Sequence, residues 1–126
     1  MVNKYALLPL AVFPLLVNAG EPTFREAKSR ADLHEQRLAP QDMQRLVAAQ
    51  GRLAAVAFPQ CVQRSGATPP DFTIVVEVGA NGRVRRSWRR GESAFAQCFE
   101  KQMTQDFRFV PTSQPFFTAF EYTSAP

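Results

Sequence analysis

The chain has 126 residues, 45% hydrophobic and 11% aromatic, and a formal net charge of +4 that comes mostly from arginine. That length supports one domain with a modest core, which a covalent staple would help, and the absence of internal repeats or a low-complexity linker excludes a repeat array. A basic balance suits nucleic acid, an anionic membrane or acidic partners.

Met1–Asn3 and Lys4 are followed by Tyr5–Val17, a stretch without charge, and then by Val17-Asn18-Ala19. This is the basic, apolar and small-residue order of a secretory leader, so residues 1–19 read as a cleaved signal peptide. The other reading is a membrane anchor, but a spanning helix needs about 20 apolar residues, and Pro9 and Pro14 interrupt this one. Export to the periplasm argues against nucleic acid as a partner. It also makes the two cysteines, Cys61 and Cys98, read as a disulfide rather than as two separate buried thiols.

Residues 20–57 read as a helical arm. Thr23–Leu38 holds helix formers but few large apolar anchors (Phe24, Leu33, Leu38), so it is expected to be a solvated helix or a mobile segment. After Pro40, Gln41–Ala57 is a better helix, with Met43, Leu46, Val47, Leu53, Ala54 and Ala57 on one stripe and Gln50 breaking it. Pro59 lacks the N–H that a continuing helix requires, and is expected to start a separate short helix over 59–65 that carries Cys61.

Phe72–Val78 is the clearest strand. Phe72, Ile74, Val76 and Val78 share one face, and Thr73, Val75 and Glu77 share the other. Gly79-Ala80-Asn81-Gly82 turns the chain, with Gly82 left-handed. The return strand, Arg83 to about Arg90, then places Val84 opposite Val78 and Trp88 opposite Ile74. Residues 92–106 form a helix with Phe95, Cys98, Phe99, Gln102 and Met103 inward. Phe107–Val110 is a short extended piece, and Phe116–Thr123 is the last strand, with Phe120 and Tyr122 on one face and Phe117 and Ala119 on the other.

No catalytic constellation is legible. His34 is the sole histidine and reads as an exposed helical side chain. His34, Cys61 and Cys98 lack metal-ligand spacing, no two carboxylates are marked as a pair, and Gly79 and Gly82 belong to a hairpin rather than to a phosphate loop. The chain therefore reads as a binding protein, not an enzyme, with no cofactor. Its most pronounced feature is Arg83-Val84-Arg85-Arg86-Ser87-Trp88-Arg89-Arg90. Arg83, Arg85 and Arg89 fall on one strand face, and Arg86 and Arg90 fall with Trp88 on the other. The five arginines read either as a cationic ridge for a carboxylate- or phosphate-bearing partner or as charges that keep an edge strand from aggregating.

Phe58-Pro59, Phe72–Val78 with Gly82 and Val84, the helix 92–106, Phe107-Arg108-Phe109-Val110-Pro111, and Phe120 with Tyr122 follow one another as in the TonB C-terminal domain family, which residues 58–122 resemble. The chain departs from that family at Pro69-Pro70-Asp71, where a glycine is usual, in its cysteine pair, and in a leader where energy transducers keep an uncleaved anchor. The resemblance implies an α+β fold, two helices on a three-stranded antiparallel sheet, for residues 58–126 behind the arm. In that fold both cysteine-bearing helices lie on the same sheet face, so a Cys61–Cys98 bond is expected. It also implies a binding mode, in which a partner strand adds to a sheet edge. The last strand is the usual edge, with Phe116, Phe117 and Ala119 as candidate contacts. The expected partner is an envelope protein or peptide segment in a Gram-negative periplasm, or an anionic envelope component. An inhibitor or immunity-type protein acting through the arginine strand is the alternative.

Overall fold

The structure, a computed structural model, describes residues 20–124, so the expected leader lies outside the described residues. It is an α+β fold of three helices and one antiparallel sheet with strand order β2-β1-β3. No helix among the described residues is long and apolar enough to cross a membrane.

Helix α1, Phe24–Gln36, starts at a reciprocal cap. The Glu26 backbone N–H donates to Thr23 Oγ1 at 3.2 Å and the Thr23 N–H donates to Glu26 Oε1 at 2.8 Å, which satisfies two of the donors a helix start leaves unpaired. The helix is ordered against the sheet and is not merely solvated. Ala27 and Ala31, one turn apart, are both 0% exposed and pack with Val75 and Phe117 of the sheet, while Leu33, an expected anchor, is 42% exposed. Two alanines let the helix backbone approach the sheet closely, with Phe24 packed beside them at the start of the helix.

Helix α2 runs from Pro40 to Ser65 and ends at Gly66 in the left-handed conformation, φ 74°. The break expected at Ala57–Pro59 is absent, and Pro59 lies inside the helix. Leu46, Ala49, Leu53, Ala57 and Cys61 form one buried stripe that continues through it, and this shared burial offsets the hydrogen bond that Pro59 cannot donate. Val47, expected on the stripe, is 58% exposed.

Strand β1, Phe72–Val78, is buried throughout and pairs with β2, Val84–Arg90, and with β3, Phe116–Tyr122. Gly82 has φ 83°, and a Cβ there would lie 3.0 Å from Val110 Cγ2, so the turn requires glycine. Val84 meets Val78 as expected, but the register shifts between Glu77 and Val78, so that Arg86 opposes Glu77 and Trp88 opposes Val75 rather than Ile74. The extra residue is Arg85. A one-residue bulge moves every later side chain of the strand to the opposite sheet face.

Helix α3, Ala94–Asp106, is capped by Ser93 and buries Phe95, Ala96, Phe99 and Met103. With α2 it covers the face of Phe72, Ile74, Val76 and Val78, joined there by Phe107, Phe109 and Phe116. Cys61 and Cys98 are bonded, with Cα atoms 5.7 Å apart, and tie α2 to α3. The sheet is therefore enclosed, with α1 on one face and the stapled α2–α3 pair on the other.

Candidate functional site

The central strand β1 is paired on both sides, so the sheet has two edges, β2 and β3. An edge is a row of N–H and C=O groups that another chain can pair with unless the protein covers it. The two edges of this sheet are treated differently.

The edge of β3 is covered by its own chain. The Phe117 backbone N–H donates to His34 Nδ1 at 2.9 Å, and the Ala119 N–H donates to Glu35 Oε2 at 2.9 Å. Thr118 Oγ1, fully buried, donates to the same Glu35 oxygen at 2.6 Å. From α2, Gln50 Nε2 donates to Thr118 Oγ1 at 3.1 Å and to the Ala119 carbonyl at 3.3 Å. Gln50, which breaks the apolar stripe in the sequence, is thus the residue that reaches the strand. Lys28 adds an ion pair from α1 to Glu121, at 3.0 Å. Three expected contact residues lie on this strand. Phe116 and Phe117 are 3% and 0% exposed, because Phe116 packs on Phe109 and Phe117 on Trp88 and His34. They belong to the cores on the two sheet faces and are not presented to a partner. Ala119 is half-buried, beneath the Glu35 cap.

His34 is likewise not the exposed side chain its sequence context suggests. Burial, followed by the nearby Arg37 and Arg30 charges, holds its imidazole below the ordinary value of 6.5, which favours the neutral form that the Phe117 bond requires. Nothing in the local sequence marks His34 or Glu35 as edge caps, since their partners lie 83 and 84 residues away.

The edge of β2 is open. Because Phe117 and Ala119 turn their N–H groups away from β1, the alternate residues of β3 are the ones bonded to it, and β1 in turn directs Thr73, Val75 and Glu77 toward β2. Their partners on β2 are Arg90, Trp88 and Arg86, which leaves Ser87 and Arg89 directed outward. Among the described residues no backbone group outside the sheet pairs with these two.

The five arginines do not form one ridge. Arg86 Nε pairs with Glu77 at 2.7 Å and lies over the Trp88 ring. Trp88 Nε1 donates to the Pro22 carbonyl at 2.9 Å and so holds the entry to α1. Arg89 faces α3, paired with Glu100 and Glu92, and Ser87 Oγ donates to Glu100 at 2.7 Å. Arg90 stacks over Phe24, 4.9 Å from the ring centre. Among the described residues Arg83, Arg85 and Arg90 make no ion pair with a carboxylate, so the strand keeps uncompensated positive charge beside its open edge. No group of three or more potential metal ligands occurs among the described residues. No protein-family model, curated protein or solved structure matches the chain.

Proposed function

We propose that the protein is a periplasmic protein-binding module that takes an extended segment of an envelope protein or peptide onto the edge of its sheet along β2. The supporting observation is the contrast between the edges: Phe117 and Ala119 are capped by α1, whereas the outward backbone of Ser87 and Arg89 has no partner beyond the sheet. Strand addition supplies affinity through main-chain hydrogen bonds and needs no catalytic group. The resemblance of residues 58–122 to the TonB C-terminal domain family supports the same mode, and Arg83, Arg85 and Arg90 favour a segment that carries carboxylates. The test is capture of partners from envelope extract by wild type and by Ser87→Pro. Proline removes an outward donor and is tolerated on an edge strand. A folded Ser87→Pro variant that loses the captured partner supports the reading, and equal recovery overturns it.

A second reading has an observation of its own. The uncompensated arginines suit an inhibitor or immunity-type protein that contacts an acidic or wall-directed partner through side chains. Such binding weakens steeply with ionic strength and is lost in Arg83→Ser/Arg85→Ser/Arg90→Ser while surviving in Ser87→Pro.

A further inference from the structure

We propose that α1 is an acid-releasable mask over a second strand-accepting edge, that of β3, with the neutral imidazole of His34 as its latch. The covering of β3 differs in kind from ordinary sheet burial. The groups that receive the Phe117 and Ala119 N–H bonds are side-chain atoms of α1, His34 Nδ1 and Glu35 Oε2, at 2.9 Å each. They occupy the positions at which carbonyls of an added strand would accept. A ring nitrogen accepts only while it carries no proton. Protonation of His34 turns its Nδ1 into a donor facing the Phe117 donor, so the bond is not merely weakened but replaced by a repulsive contact.

The surroundings push in the same direction. On α1 itself, Arg30 and Arg37 lie near enough to disfavour a charged imidazole, and Glu35 is committed to Ala119 and Thr118. From α2, Asp42 faces the same cleft of about 430 Å³, whose remaining lining residues at 112–116 carry no charge. Asp42 is itself paired with Arg45 at 3.0 Å. A protonated His34 therefore adds a third positive charge to a group already cationic, and only Asp42 and Glu35, both occupied, oppose it. The cleft opens His34 to solvent protons. Elsewhere α1 is held by the buried Ala27 and Ala31 with Phe24 beside them, by Arg30 over the Phe117 ring and by the Lys28–Glu121 pair, so His34 and Glu35 are the groups that hold its C-terminal end to the edge. Loss of the His34 bond therefore loosens the C-terminal end of α1, where the edge of β3 is capped.

The consequence is read on the protein alone, without a partner, so its outcome is separate from that of the β2 reading. Amide hydrogen exchange is followed at Phe117 and Ala119, which face α1, and at Thr118 and Phe120, which face β1, at pH 8 and pH 5, each corrected to a protection factor. The wild type is expected to lose tenfold or more in protection at Phe117 and Ala119 on acidification while Thr118 and Phe120 keep theirs. His34→Asn presents an oxygen on Cγ where the histidine presents Nδ1, and that oxygen does not titrate. This variant is expected to hold protection at Phe117 nearly constant between the two pH values. Unchanged wild-type protection overturns the proposal. So does a parallel loss at all four amides, which is global unfolding, and so does the same acid-dependent loss in His34→Asn.

Discussion

Single side chains of this protein carry consequences out of proportion to their size because several serve backbone groups far away in the chain. Glu35 accepts from both the Ala119 N–H and the buried Thr118 hydroxyl. Glu35→Ala is therefore expected to cost about 1–3 kcal/mol, the range for leaving buried donors unmet, measured by denaturant unfolding, with Gln36→Ala on the exposed face of the same helix near zero. His34 contributes a pH dependence whose sign follows from its lowered pKa. The unfolded chain binds the proton more readily, so the stabilisation is fully present above 6.5 and is lost as pH falls from there through the folded-state value. The melting temperature of the wild type is expected to fall over that interval, and that of His34→Asn to fall less. Gly91 supplies a third case. Its φ is 117°, and a Cβ there would stand 2.9 Å from Phe72 Cβ, so Gly91→Ala combines backbone strain with a clash. A loss of about 2 kcal/mol or more is expected, visible as a lowered denaturant midpoint.

At the scale of elements, helix breakers misled in the first half of the chain, where Phe24 and Leu38 pack on the core but Leu33 is exposed, and breakers and large-residue anchors were both dependable in the second. Helix α3 lies where Phe95, Phe99 and Met103 place it, and Gly82 makes the turn its position between two strands implies. Helix α1 docks through Ala27 and Ala31 with Phe24 beside them, and the two alanines are what a search for large apolar side chains passes over. Ala31→Leu is expected to force the helix off the sheet and to cost about 1–3 kcal/mol, the range for overpacking a close contact, with loss of Trp88 fluorescence change on unfolding as a second readout. Helix α2 continues across Pro59 because Ala57 and Cys61 on either side are both buried in one core. An interior proline disfavours a helix by about 3 kcal/mol relative to alanine. Pro59→Ala, at an exposed position, is therefore expected to raise stability, and an unchanged or lowered melting temperature would show that the proline bend is part of the packing.

For the molecule as a whole, the staple and the sheet divide the work. The Cys61–Cys98 bond closes a separation of 37 residues that contains β1 and β2 and ties together the two helices on one face. The loop-closure estimate for that separation is about 4 kcal/mol, a large part of the stability of a domain this size. Reduction is expected to lower the melting temperature by at least about 10 °C, and mass spectrometry of non-reduced protein should find the intramolecular pair. The opposite face, carried by α1, has no covalent tie among the described residues. Partial unfolding is expected to begin there, and amides of β1 are expected to outlast those of α1 in exchange.

Features that depend on neighbours along the chain were legible in the residues alone. The alternation Phe72, Ile74, Val76 and Val78 selects a core face, Gly82 makes the turn, Phe95, Phe99 and Met103 mark a helix, and Phe117 and Ala119 share a face of β3 opposite Phe120. The cysteine pairing followed once the resemblance had placed both helices on one face. The remaining features arise from contacts between distant segments. The bulge at Arg85 sent Trp88 to the α1 face, and shared burial carried α2 through Pro59. His34, Glu35 and Gln50, distant from β3 in sequence, became the caps that close its edge and leave β2 as the open one. Periodicity and turn chemistry act over a few residues, whereas the question of which edge remains open depends on hydrogen bonds between segments that only the folded chain brings together.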